Sequence, residues 1–243
     1  NPRSITITLI VINVVVFLVD VIFARRVEGG PSQSLVAVWC AIDGNTILRP
    51  WMWWQFLTYG FVHALGEIMH LLFNMIGLYV FGRDVENRLG RMEFLRFYLV
   101  AVVVGGIIGS LTHLALGGGS TIGASGAVIA TTVLFACYFP NREILMMMVF
   151  PVKAWVLAVF FIMADMAGAF GIFGGVASGS NTAFTVHLAG AFFGLGYYFG
   201  HWNLRWLDIE AIGDLPKRVR QRSRRMKLKL HDPDKTFEKE AEE

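Results

Sequence analysis

Uninterrupted apolar runs dominate this chain and are separated by short polar segments. A helix needs about 20 apolar residues to cross a hydrocarbon core about 30 Å thick. The runs that approach or reach that length are Ile5–Ala24, Leu65–Phe81, Phe94–Leu116, Ala124–Phe139, Met146–Phe170 and Ala183–Trp202. They are continuous and lack the alternation of apolar and polar positions typical of membrane β-barrel strands. The pattern therefore predicts an all-α membrane protein with six transmembrane helices, the fourth of them short.

The first run is long enough to span a bilayer and longer than the core of a signal peptide. No small-residue cleavage site of the Ala-x-Ala kind follows it. We therefore expect a retained transmembrane helix at this position.

Composition and charge agree with a membrane protein and suggest its orientation. Charged residues make up only 16% of the chain, whereas a soluble domain has about 25%. With six spans both termini share one side, which carries Arg3, Arg83, Arg88, Arg91, Arg96, Arg142, Lys153 and the C-terminal tail. The other side carries only Arg25, Arg26 and Arg49. The excess of basic residues predicts a multi-pass protein of the cell membrane with both termini in the cytoplasm.

The first outer loop and the C-terminal tail have compositions of their own. In the loop, Leu35–Ala41 and Thr46–Leu48 flank Asp43-Gly44, which predicts a β-hairpin. The aromatic cluster that follows is typical of the headgroup level, so the loop is expected to be partly membrane-embedded. The tail, residues 204–243, is first basic and then mostly acidic. It is predicted to be a cytoplasmic extension held near anionic lipid, and nucleic acid is not expected as a partner.

Ser125 is the first candidate for chemistry. It lies in Gly123-Ala124-Ser125-Gly126, at the predicted outer start of the fourth span. Glycines permit a tight turn, and unpaired N–H groups at a helix N-terminus suit a developing oxyanion. Small residues are also common where membrane helices pack closely. This motif alone therefore fits packing as well as catalysis.

His187 is the second candidate, and its depth matches that of Ser125. Gly190 and Gly194 share its helix face and form a Gly-x-x-x-Gly surface that allows close helix approach. Counted from the cytoplasmic ends, Ser125 lies about 22–26 Å and His187 about 22–27 Å up their helices. A neutral imidazole at this depth could take the serine proton and activate a weak nucleophile.

His70 and Asn74 form the third candidate group, on one face of the second span. Both side chains can donate hydrogen bonds, so near Ser125 they would stabilise an oxyanion together with the Ser125 N–H. The alternative is a hydrogen bond between helices that serves packing alone.

Together these motifs resemble those of the rhomboid intramembrane serine proteases. The matching patterns are His70-x-x-x-Asn74, Gly123-x-Ser125-Gly126 and His187-x-x-Gly190-x-x-x-Gly194. They occur in the family's order, on the second, fourth and sixth predicted spans. The resemblance implies a six-transmembrane-helix rhomboid-like bundle over residues 1–203. It also implies a serine endopeptidase that cleaves single-span membrane proteins near the outer face of the bilayer.

The same resemblance implies a role for individual residues. Ser125 would be the nucleophile and His187 the general base of a catalytic dyad. His70, Asn74 and Gly123 would form the oxyanion site. No cofactor is expected.

Four further positions bear on the resemblance. Glu86 and Arg88 resemble the family's stretch after the second span and would tie down the inner loop. The family's outer loop usually carries Trp-Arg, where this chain has Gln55 after its tryptophan. Many members have an aromatic residue four after the serine, where this chain has Ile129.

Three alternative interpretations also fit the sequence. His63, Glu67 and His70 have spacings that would align metal ligands on one helix face, but no His-Glu-x-x-His motif or further ligand cluster supports a metal site. Asp165 could extend the dyad to a triad or serve structurally. A non-enzymatic bundle, either a substrate-binding pseudoprotease or a transporter, is the alternative function class.

Overall fold

The computed structural model describes residues 4–24, 34–146, 150–169 and 180–207. Within this part the chain is mostly helical, with short strands in its loops. The helices are α1 (Ile5–Phe23), α2 (Leu35–Cys40), α3 (Gln55–Thr58), α4 (Ile68–Leu89), α5 (Arg91–Leu116), α6 (Ser125–Tyr138), α7 (Ala154–Ala169) and α8 (Ser180–Phe199). The strands are β1 (Ile42–Asp43), β2 (Ser120–Thr121), β3 (Glu143–Met146) and β4 (Phe150–Lys153).

Two of the described helices, α1 and α5, are long and apolar enough to cross a membrane by length and composition. Helix α6 and the Ala154–Met163 part of α7 are apolar but shorter. The six longest helices lie near the six predicted runs. That all six cross a bilayer stays a prediction.

Helices α4 and α7 differ most from the predicted runs. Helix α4 begins at Ile68 rather than Leu65 and runs past Phe81 to Leu89, where Gly90 ends it at φ +87°. Its charged last turns ended the apolar run without ending the helix, because helix hydrogen bonds do not require apolar side chains. Helix α7 begins at Ala154 rather than Met146, because the preceding residues pair as the antiparallel strands β3 and β4.

The hairpin predicted for the first outer loop is wrong. Leu35–Cys40 forms helix α2, capped where Ala37 N–H donates to Ser34 Oγ at 2.7 Å. The turn signal at Asp43 does correspond to a turn, in which its carboxylate accepts from the N–H groups of Asn45 and Thr46. Strand β1, however, pairs with the distant β2 rather than with the residues after the turn.

Glu86 joins α4 to the start of α1. Its carboxylate accepts hydrogen bonds from the Ser4 and Thr6 hydroxyls and from the N–H groups of Ile5 and Thr6, at 2.6–3.0 Å. An acceptor at a helix N-terminus satisfies N–H groups that have no partner within the helix. The resemblance suggested a tie to the inner loop, whereas this carboxylate holds the first helix.

By its contacts the chain divides into two compact units, Asn1–Trp202 and Asn203–Glu243. Of the second unit, residues 203–207 are described and contain the 3-10 turn Arg205–Leu207. The predictions for the charged tail otherwise lie outside the described residues. So do Arg3, Arg25 and Arg26 and the side chain of Asp165, although α7 contains that residue.

Candidate active site

Ser125 is the first residue of α6, directly after a tight turn. Gly123 has φ +127°, which L side chains rarely adopt. Its N–H donates to the Tyr59 carbonyl at 2.9 Å and so fixes the turn. The first N–H groups of a helix have no partner within it. The half-buried Ser125 hydroxyl and unpaired N–H groups therefore meet at one point.

Helix α8 brings His187 to this serine. The two residues are 62 positions apart in the chain, and Ser125 Oγ lies 2.7 Å from His187 Nε2. At this distance the hydroxyl can donate to the nitrogen when that atom carries no proton. Both side chains are half-buried rather than sealed in the core.

Glycines set the spacing between α6 and α8. A Cβ on Gly190 would overlap the carbonyl oxygen of Gly126. A Cβ on Gly194 would lie 2.7 Å from the carbonyl oxygen of Ala130, closer than real Cβ contacts. The two helices therefore approach backbone to backbone just below Ser125 and His187.

His70 lies on the other side of the serine. A Cβ on Gly123 would be 3.4 Å from His70 Cε1 and 3.8 Å from Ser125 Oγ. The glycine thus leaves a space between the imidazole and the hydroxyl. His70 Nδ1 is 3.6 Å from the exposed carboxylate of Glu67.

Asn74 and His63 form a buried pair behind His70. Asn74 Nδ2 lies 3.3 Å from His63 Nε2, and the rings of His63 and His70 meet edge to face with centroids 5.6 Å apart. Burial, with His70 nearby, lowers the pKa of His63 to about 4. A neutral His63 can accept a hydrogen bond from the Asn74 amide, which leaves the second amide proton for another acceptor.

Sequence reasoning missed two residues that hold the loop before Ser125. The ring of His113 is 2.9 Å from the Gly118 carbonyl through Nδ1 and 2.9 Å from Thr121 Oγ1 through Nε2. The hydroxyl of Tyr59 donates to the Val102 carbonyl on α5 at 2.9 Å. Neither residue belongs to a recognisable motif, so the sequence carried no signal for this role.

The helix face proposed for the rival metal site is not formed. His63 lies in the loop before α4, which begins at Ile68, so it does not share a helix with His70. Across the described residues, no group of three or more His, Cys, Asp or Glu side chains could hold a metal ion.

The departure at Gln55 has a structural consequence. Gln55 is buried, accepts from the Thr46 hydroxyl at 2.9 Å and donates to the Trp39 carbonyl at 2.8 Å. The neutral side-chain amide of Gln55 therefore anchors this loop through both its oxygen and its nitrogen. Ile129 is half-buried on α6, one turn after the serine.

Comparison with known proteins identifies the family. The Rhomboid domain matches residues 50–203, which is more than half of the chain. The chain belongs to the rhomboid family. This confirms the resemblance found in its motifs.

Similar curated proteins include both bacterial and mitochondrial rhomboids. Rhomboid protease GluP of Bacillus subtilis is 32% identical over 106 residues, covering 44% of this chain and 20% of that protein. Rhomboid protein 1, mitochondrial, of Saccharomyces cerevisiae is 36% identical over 96 residues, covering 37% and 27%. Presenilin-associated rhomboid-like protein, mitochondrial, of Homo sapiens is 27% identical over 150 residues, covering 60% and 38%. This rhomboid therefore matches less than half the length of each of these relatives.

Family membership supports a general statement of function. Rhomboids are membrane-embedded, and the family contains intramembrane serine proteases as well as inactive members. Its proteases act on transmembrane substrates within the bilayer. Membership of this family therefore supports a function of the rhomboid-type protease or pseudoprotease kind.

Proposed function

We propose that this rhomboid is an active serine endopeptidase that cleaves single-span membrane proteins inside the bilayer, near its outer face. The observation that carries the proposal is the distance of 2.7 Å between Ser125 Oγ and His187 Nε2. A pseudoprotease has no need to keep a nucleophile and a base in hydrogen-bond contact. Both residues are half-buried rather than sealed in the core, which supports access for a peptide and a water molecule.

In the proposed arrangement α1 and α4–α8 cross the cell membrane, and both termini lie in the cytoplasm. The basic residues on the side of the termini support this orientation. In the first outer loop Trp51, Trp53 and Trp54 are more than half exposed, which supports a loop partly embedded at the headgroup level. Residues 1–203 then form the membrane domain and residues 204–243 its cytoplasmic tail.

The chemical step begins with proton transfer from Ser125 to His187. As Oγ attacks the carbonyl carbon of the scissile peptide bond, its proton passes to Nε2. The imidazolium then gives this proton to the departing amine, and the acyl group stays on Ser125. A water molecule, deprotonated by the same nitrogen, hydrolyses the ester and restores the hydroxyl.

Negative charge on the former carbonyl oxygen is stabilised by nearby donors. The Ser125 N–H, the His70 ring and the free amide proton of Asn74 are the candidates. Gly123 leaves the space in which this oxygen would lie, because any Cβ there would contact both His70 and Ser125. Donors already fixed in place act strongly in a site that excludes bulk water.

The second candidate function is a substrate-binding pseudoprotease, because the family also contains inactive members. It predicts binding of membrane proteins without cleavage. It gives no account of the hydrogen bond between the serine and the histidine.

Labelling with a fluorophosphonate tests the proposal. The purified protein in liposomes is compared with Ser125→Ala, with His187→Ala and with Thr132→Ser, which changes a buried hydroxyl residue elsewhere on α6. We expect label on the parent and on Thr132→Ser, and none on the other two.

Cleavage of a co-reconstituted single-span protein should follow the same pattern. Labelling that persists in Ser125→Ala, or cleavage that persists in either dyad variant, would contradict the dyad. Binding of the single-span protein by a parent that neither labels nor cleaves would establish the pseudoprotease instead.

A further inference from the structure

The segment between α6 and α7 is unusually apolar for a connection between helices. Residues 144–152 read Ile-Leu-Met-Met-Met-Val-Phe-Pro-Val, without a polar side chain. Its two ends pair as β3 and β4, with Glu143 opposite Lys153 and Leu145 opposite Pro151. Leu145 is 63% exposed and Phe150 is 61% exposed. We call the paired strands β3 and β4 the inner hairpin.

Apart from the Glu143 and Lys153 pair at its base, both faces of the inner hairpin are apolar. Successive residues of a strand point to opposite faces. Leu145 and Pro151 therefore share one face, and Ile144 and Val152 share the other. A two-stranded ribbon is marginally stable in water, and an exposed apolar edge strand promotes aggregation. These properties argue that the surroundings of the hairpin are not bulk water.

The backbone of the inner hairpin argues equally against the centre of a bilayer. The outer edge of each strand carries N–H and C=O groups that the partner strand does not reach. Leaving such groups unsatisfied in hydrocarbon is costly. The membrane interface meets both demands, because its acyl chains accept apolar side chains while water and headgroups reach the backbone.

The position of the hairpin agrees with this environment. Helix α6 has 14 residues and separates the hairpin from Ser125 by about 20 Å at 1.5 Å per residue. Charged groups mark the base of the hairpin, where Arg142 pairs with Asp84 of α4 at 3.6 Å. The Ala154 N–H donates to the Arg142 carbonyl at 2.9 Å and closes the base.

We propose that the inner hairpin binds phospholipid and lies in the interface of the inner leaflet. Its apolar side chains would enter the upper acyl-chain region, to the depth of about 5–10 Å typical of interfacial segments. The hairpin would thus anchor the C-terminal end of α6 and the N-terminal end of α7 in the inner leaflet, on the side of the membrane where most basic residues lie. This does not depend on whether the protein cleaves peptides, although it uses the proposed membrane orientation.

Fluorescence quenching by spin-labelled lipids tests the proposal. Cys40 and Cys137 are first replaced by serine, and single cysteines are then introduced as Leu145→Cys and Phe150→Cys on opposite faces. Asn87→Cys provides the matched control, because it is an exposed site on the last turn of α4 at the same end. Each variant carries a polarity-sensitive dye in phosphatidylcholine liposomes that contain a shallow or a deep nitroxide lipid.

We expect both hairpin sites to emit at shorter wavelength than Asn87→Cys. The shallow nitroxide should quench them severalfold more strongly than it quenches the control. Emission and quenching equal to those of the control would place the hairpin in water and overturn the proposal. Stronger quenching by the deep nitroxide would also overturn it, and a failure of the labelling test for protease activity would change neither result.

Discussion

Two helix contacts in this protein are built in opposite ways. Helices α6 and α8 touch backbone to backbone at Gly190 and Gly194, with no room for a Cβ. Helices α1 and α4 are joined by a carboxylate, Glu86, that accepts four hydrogen bonds. The first contact positions the two proposed catalytic side chains directly. The second attaches a helix that carries none of them.

The two contacts should contribute differently to activity and to stability. A contact made by backbone atoms cannot relax around an added methyl group, so any change there moves Ser125 relative to His187. A contact made by hydrogen bonds can be weakened without moving the site. Substitutions at the two contacts should therefore affect different measurements.

Gly190→Ala should have the broadest effect, because it lowers stability and activity together. The new Cβ would overlap the Gly126 carbonyl, so α8 must shift. Overpacking costs about 1–3 kcal/mol in stability, and a displacement of about 1 Å lowers rates roughly 100-fold. Cleavage and fluorophosphonate labelling should fall together, as measured on protein in liposomes.

Gly196→Ala is the matched control on the same helix. A Cβ there would meet Trp202 at an ordinary 3.6 Å. This variant should keep parental activity, and an equal loss in both variants would point to general weakness of α8 rather than to the α6 contact.

Asn74→Ala tests whether the N-terminal part of α4 belongs to the site rather than only to packing. Loss of one oxyanion donor lowers kcat by about 100- to 1000-fold. We expect this fall in kcat with little change in KM, measured by cleavage of a single-span substrate. The buried neighbour Met75→Leu keeps volume and polarity and should stay close to the parental kcat. A rise in KM with an unchanged kcat would argue against oxyanion stabilisation.

His63, which contacts Asn74, should make the free energy of unfolding depend on pH. Its folded-state pKa is about 4 because of burial, against an ordinary value of 6.5. Between those values the unfolded chain binds the proton and the folded protein does not, so stability is full above about pH 6.5 and falls as the pH drops towards 4. Thermal unfolding from pH 7 to 4 should show this slope in the parent and a shallower one in His63→Gln. Identical slopes would contradict the neutral, buried state of His63.

Glu86→Gln should have a smaller effect that is confined to stability. Loss of hydrogen bonds to a charged acceptor costs about 1.5–3 kcal/mol, while α6 and α8 stay in place. We expect earlier thermal unfolding with parental cleavage per folded molecule. Asp84→Asn, two residues away, removes only a partly exposed ion pair and should change stability by about 0–1 kcal/mol. Reduced specific activity in Glu86→Gln would contradict the claim that this contact affects stability alone.

Much of the fold was predictable because the signals are local. The apolar runs located α1 and α6 to within one residue at each end, since length and hydropathy act within one segment. The same rule failed at the start of the fifth predicted run, where Phe150–Lys153 forms strand β4 and pairs with β3, because hydropathy does not distinguish a strand from a helix. It also failed at residues 35–41, where Ser34 caps a helix that the turn signal at Asp43 did not suggest.

The candidate site divides in the same way. The motifs around Ser125, His187, His70 and Asn74 were enough to identify the family, which the Rhomboid match confirms. Their catalytic roles stay predictions that the experiments above address. His113 and Tyr59 escaped sequence reasoning, and His63 was considered only as a metal ligand, because their roles come from tertiary contacts rather than from any spacing.

By itself the sequence determined the helical segments, the small residues on their faces and the family. Those properties follow from side-chain chemistry and periodicity within a few turns of chain. Only the tertiary structure decided that Ser125 and His187 meet within hydrogen-bond distance, that His63 supports Asn74 and that β1 pairs with β2. Such contacts join residues far apart in the chain, and their geometry depends on how closely whole helices can pack.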